Sequence, residues 1–99
     1  MEKKKVMISQ PMQGKSEEQI RAERAVAVQA FTEKGYEVVD TCSLDFTSTG
    51  NIPIKYLAKS VMEMADVDVV FFMKGWAKAR GCFIEHMVCK DYGIETIYE

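Results

Sequence analysis

Long apolar runs are the first thing this 99-residue sequence lacks. Its longest, Val67 to Met73, is interrupted by Asp68 and falls far short of the roughly 20 residues that span a bilayer. No membrane partner is expected. Histidine is nearly absent, with His86 alone, and Cys42, Cys82 and Cys89 show no ligand spacing. That composition argues against zinc, and no metal and no cofactor are expected. Excess positive charge is missing too. Thirteen Lys and Arg stand against 15 Asp and Glu, a net charge of −2, so the electrostatic footprint of a nucleic-acid binder is not there. The one basic cluster, Lys3-Lys4-Lys5, reads as a solvated lead-in to a strand. Internal repeats and low-complexity segments are lacking, as are the dinucleotide glycine pattern and the phosphate-loop lysine pattern. The odd number of cysteines, behind a charged start that turns straight into a strand pattern, predicts reduced thiols and a cytoplasmic protein.

What is present is an ordinary globular composition, 47% hydrophobic and 28% charged, with room for one core and therefore one domain over residues 1–99. Val6-Met7-Ile8 predicts a buried strand from Lys5 to Ser9, broken by Gln10 to Gly14. Ser16-Glu17-Glu18-Gln19 has the form of a capping box opening a helix to about Lys34, with Ile20, Ala27 and Phe31 on one face. Gly35 suits the left-handed position beyond that helix. Tyr36 to Asp40 predicts a second strand, and Thr41 to Asn51 a polar loop. Pro53 then opens a helix on which Ile54, Leu57, Ala58, Val61 and Ala65 follow helical spacing. Val67 to Met73 reads as a central parallel strand covered on both faces. Gly75 ends it. A helix from Ala79 to Tyr92 follows, with Ile84, Val88 and Asp91 in one line as its buried side, then Gly93 as cap and a last strand from Ile94 to Tyr98.

The alternation predicts a three-layer α/β/α fold, a flavodoxin- or Rossmann-like four-stranded parallel sheet with strand 1 central. Ligands of such sheets bind beyond the carboxyl ends of the strands, where the winding reverses. Three segments meet on that rim: Ser9 to Gly14, Asp40 to Asn51, and Lys74 to Cys82. In the first, Ser9, Gln10, Pro11, Met12 and Gly14 are candidate ligand contacts, against the alternative of an ordinary turn. In the third, Gly75 and Trp76 stand beside Arg80, Gly81 and Cys82. Trp76 either stacks on a base or caps the core. Arg80 and the backbone N–H groups near it could hold phosphate, Gly81 permits close backbone approach, and Cys82 could be a thiol activated by a helix N-terminus. Glu85 lies about 100° from the Ile84 line, at the edge of the buried side, as a candidate carboxylate nucleophile or hydroxyl binder; the plain alternative is a surface glutamate. His86, next to it in sequence, points elsewhere and reads as a surface or subunit-contact histidine.

The combination Ile8-Ser9-Gln10-Pro11-Met12, Gly35 to Asp40, Asp68 to Trp76, and Ala79-Arg80-Gly81-Cys82-Phe83-Ile84-Glu85-His86 resembles the nucleoside 2-deoxyribosyltransferase-like superfamily. More narrowly it is similar to a short branch found in bacteria and their phages. The resemblance covers nearly the whole chain. It implies that Glu85 attacks the anomeric carbon of a nucleoside or nucleotide, with a glycosyl-enzyme resolved by water or another base. It also implies that the Ser9–Gly14 loop contacts the nucleoside or its phosphate, that Gly81 and Cys82 approach the sugar or 5′-phosphate, and that the chain is a homo-oligomer. Two positions depart from the superfamily pattern. Ser60 and Ala79 stand where active members carry aspartates; Ser60 can still hydrogen-bond a base or hydroxyl as a substrate contact, but serine cannot protonate a leaving base. Helical phasing also sets Ser60 away from the Ile54-Leu57-Val61 stripe. An N-glycosidase or deoxyribosyltransferase-like enzyme is therefore expected beside the alternative of a non-catalytic module that binds or senses a nucleotide-derived ligand, and behind both stands a purely structural subunit.

Overall fold

The computed structural model describes residues 3–39 and 50–99. Asp40, Cys42 and the rest of the polar loop through Thr49 lie outside the described residues. The elements are β1 (Lys5–Ser9), α1 (Glu17–Glu33), β2 (Glu37–Val39), α2 (Ile52–Met64), β3 (Val69–Phe72), a 3-10 turn (Trp76–Lys78), α3 (Arg80–Tyr92) and β4 (Glu95–Tyr98). The four strands form one sheet in the order β2-β1-β3-β4, with every pairing parallel. The result is the three-layer α/β/α, flavodoxin-like arrangement that the alternation of elements predicts. Among the described residues, no helix is long and apolar enough to cross a membrane.

Strand alternation decides the layers. Val6 and Ile8 point to α1, where Ala27 and Phe31 meet them together with Val69 and Met73. Met7 points the other way and packs with Met64 of α2, Cys89 of α3, Val70 and Phe72. Ser9 shares Met7's face and stands in register with Phe72. β1 runs left to β2 and β3 runs right to β4, so the winding reverses between β1 and β3, at the Ser9 end.

Local chemistry explains the boundaries. Asp68, the interruption in the apolar run, does not belong to β3. Its Oδ2 accepts the Lys5 N–H at 2.7 Å and pins the start of the sheet. Gly93 closes α3 at φ 71°, the left-handed region that a Cβ disfavours. The capping box forms only by half. Ser16 Oγ accepts the Gln19 N–H at 3.1 Å, but the Gln19 side chain bonds Glu23 instead of reaching back.

Two helical phases differ from the sequence reading. On α3 the buried side is Cys82, Glu85 and Cys89, while Ile84 and Met87 are exposed. Small thiols let that helix lie close to Met7 and Phe72, which turns the larger side chains outward. On α2 the inward line is Val61 and Met64, with Leu57 half-buried, and Ile54 faces solvent. Ser60 lies about 40° beyond Met64 at the edge of that inward arc, half-buried, not out on the polar side.

Candidate functional site

The centre of the candidate site is a contact between distant parts of the chain. Ser9, the last residue of β1, donates its hydroxyl to Glu85 Oε1 at 2.6 Å, buried, across 76 positions of sequence. Glu85 is only 7% exposed, which rules out the plain reading of a surface glutamate. Burial pushes its carboxyl above the usual glutamate range, while hydrogen bonds from the Ser9 and Ser60 hydroxyls oppose that rise. Ser60 therefore reaches Glu85 from α2, the opposite of what its assigned phase predicts. Three elements thus converge on one carboxylate at the point where the winding reverses.

Cys82 lies one turn ahead of Glu85 and is also buried. Burial pushes its thiol up to about 11, opposed by hydrogen bonding with Ser9 and by the charge of Lys15; the Glu85 charge adds to the rise. The expectation of a thiol activated by the helix N-terminus is overturned, because desolvation outweighs any help from that end. Cys89 is pushed to about 11 in the same way, first by burial and then by Glu85. Both thiols are free and buried. In folded protein near neutral pH, peptide mass spectrometry is expected to find Cys82 and Cys89 unlabelled by an alkylating reagent, and fully labelled only once denaturant is added. Rapid labelling of Cys82 in the native state would contradict this account of its surroundings.

The remaining candidates distribute around this centre. Gln10 is buried but follows Val6 and Ile8 in pointing to α1. Its Nε2 donates to the Ile20 carbonyl at 2.8 Å, and its Oε1 has no partner among the described residues. That bond ties the rim loop to α1. Pro11 is half-buried, and Met12 and Gly14 are exposed. Gly75, at φ 92°, sits where a Cβ would come 3.8 Å from Pro11 Cγ, so the first and third rim segments adjoin. Arg80 is exposed and Gly81 half-buried, and a Cβ on Gly81 would meet nothing within 4 Å. Ala79 is the N-cap of α3 and supplies no side-chain hydrogen bond to the first turn, so N–H groups there have no side-chain acceptor of the usual kind.

Trp76 joins a different cluster. Its ring stacks on His86 with centroids 4.1 Å apart and tilts against Phe72 at 5.5 Å. The alternative in which it caps the core describes this packing. His86 is half-buried, with Nε2 2.7 Å from Tyr98 Oη, so it is engaged within the chain and not free on the surface. Burial, then the charge of Lys90, pushes it below the usual histidine range. Glu85 and His86 do diverge, one to Ser9 and the other to Tyr98, as neighbours on a helix must.

Two participants escape the sequence reading. Lys15 bonds Glu23 Oε1 at 2.8 Å and its charge is felt at Cys82; its place just before the Ser16 cap was the available signal. The Tyr98–His86 pair had none, since it depends on β4 lying beside β3. Among the described residues, no three His, Cys, Asp or Glu side chains gather closely enough to hold a metal ion.

Fold and site together define a small doubly wound α/β protein with a buried carboxylate at its switch point. The chain belongs to the DUF4406 family, a domain of unknown function, whose match runs over residues 4–98. No curated protein and no solved structure matches it.

Proposed function

We propose that this chain handles nucleosides or nucleotides in the manner of 2-deoxyribosyltransferase-like proteins and hydrolyses the N-glycosidic bond with Glu85 as nucleophile. The observation that carries the reading is the 2.6 Å contact of Glu85 with Ser9. It holds a carboxylate at the carboxyl end of β1, where ligands of such sheets sit. In its ionised form, one Glu85 oxygen bonds to the anomeric carbon as the carbon–nitrogen bond breaks. The bonding pair leaves with the base, which takes a proton from water because residues 60 and 79 are Ser and Ala. A second water then attacks the anomeric carbon, the ester pair returns to Glu85, and that water's proton passes to solvent. The Ser9 and Ser60 hydroxyls orient the carboxylate and favour its ionised form. Arg80 and the N–H groups at the start of α3 suit a 5′-phosphate.

A second reading has its own support. The hydroxyl of Ser60 at Glu85, where an acid would assist the leaving base, favours a module that binds the ligand without chemistry. One experiment separates the two. The protein is incubated with a panel of nucleosides and deoxynucleoside monophosphates, free base is followed by chromatography, and melting is recorded with each compound. Base release supports hydrolysis. A raised melting temperature without base supports binding alone, and neither response to any compound overturns both.

A further inference from the structure

Cys82 is a buried thiol beside the carboxylate at the centre of the site. It is 4% exposed, and Glu85, on the next turn of α3, is buried with it. Residues three positions apart on a helix differ by about 60° in direction and about 4.5 Å in height. Both side chains therefore face the end of β1, where Ser9 is buried as well. Ser9 bonds Glu85 at 2.6 Å and is also hydrogen-bonded with Cys82. One hydroxyl is thus shared by two side chains of the same helix.

Proton counting fixes how it is shared. A serine hydroxyl has one hydrogen to donate and two lone pairs that accept. The hydrogen goes to Glu85 Oε1. A Cys82 thiolate would need that same hydrogen, whereas a thiol needs only a lone pair. Cys82 therefore meets Ser9 as the S–H donor, and burial keeps it a thiol at neutral pH. The hydrogen bonds run one way, from Cys82 to Ser9 to Glu85, and Ser60 reaches the same carboxylate from α2. Bonds in such a chain polarise one another, so a hydroxyl that accepts becomes a better donor.

We propose that Cys82 is a positioning residue for Glu85: as an S–H donor it aims the Ser9 hydroxyl at the carboxylate and strengthens the bond that favours the ionised form. Its consequence for catalysis rests on the reading of Glu85 as nucleophile; the hydrogen-bond chain does not.

Raman spectroscopy of the S–H stretch reads the chain directly, because donation weakens the S–H bond and lowers its frequency. The Cys82 band, identified by its loss in Cys82→Ser, is expected to move to higher frequency in Ser9→Ala, with folding checked by circular dichroism. A band that stays in place overturns the proposal. Carbon-13 titration of the Glu85 carboxyl, identified by its loss in Glu85→Gln, reads the effect on the carboxylate. Its midpoint is expected to rise by about 0.5 pH in Cys82→Ala, the scale of one weak hydrogen bond, and to return to the parent value or below in Cys82→Ser. Equal midpoints in the two variants overturn the proposal as well, since packing alone then accounts for Cys82. In base release the same change is read as a loss of about threefold on the acid side of the midpoint in Cys82→Ala, recovered in Cys82→Ser. Parent protein that gives both spectroscopic results and releases no base removes the glycosidase reading and leaves Cys82 as the residue that orients Ser9.

Discussion

Glu85→Gln is expected to reduce base release by about a thousandfold or more, the scale seen when a covalent nucleophile is removed, while making the folded protein more stable above neutral pH. The two effects have one cause. Glutamine keeps the shape of the side chain and can still accept from Ser9, but has no charge to attack a sugar or to desolvate. In the parent protein burial raises the carboxyl above its unfolded value, so the native state binds the proton more tightly than the unfolded chain. Stability from this group is then complete below the unfolded value and is lost as pH rises through the folded one. On going from the ordinary glutamate range to alkaline pH, the melting temperature should therefore fall further in the parent than in Glu85→Gln. Base release should follow the opposite course and rise with pH as the carboxylate forms. Ser9→Ala should shift that rise to higher pH, because it removes a hydrogen bond that favours the charged form. A buried carboxylate that lowers stability is common at functional sites. Glu85→Gln protein that releases base at the parent rate and melts lower at alkaline pH would remove Glu85 from both roles.

The sheet order was legible because it rests on signals that add up along the chain: helices between strands, glycines past helix ends, and one apolar run with a central strand's composition. The site was legible in part. Pattern alone sets Ser9 on the rim and Glu85 at the edge of the buried side of its helix, but the contact between them depends on which way α3 is rolled. Apolar spacing chose the Ile84 line, since isoleucine is more hydrophobic than cysteine. The fold chose Cys82 and Cys89, since the helix must lie close to a sheet face already filled by Met7 and Phe72. Ser60 was lost in the same way. The apolar stripe on α2 is wider than the face that α2 buries, and Ile54 drew the predicted centre away from Met64. Helix rotation is decided by tertiary packing, and local pattern reports it only when a single narrow stripe exists.

Phe72→Ala is expected to cost about 3–5 kcal/mol, out of the roughly 5–15 kcal/mol that holds a domain folded. Phe72 is fully buried, and its ring faces Trp76, His86 and Tyr98 with centroids 5.5, 5.0 and 6.0 Å away. It also belongs to the core of Met7, Met64, Val70 and Cys89. Truncation therefore opens a cavity bordered by a strand, a helix and the rim turn at once, with little chance of collapse. The effect should reach the site, because Phe72 stands in register beside Ser9 and supports the floor under α3. Urea unfolding followed by the fluorescence of Trp76, the sole tryptophan, reads both consequences: an earlier midpoint, and native emission closer to that of the unfolded chain. Phe83→Ala on the exposed side of α3 removes a ring of the same size and should change stability by no more than about 0.5 kcal/mol. If the two variants unfold at similar midpoints, the aromatic cluster is not the support assigned to it. The buried position of Glu85, which depends on α3 lying tight against this face, would then need another cause.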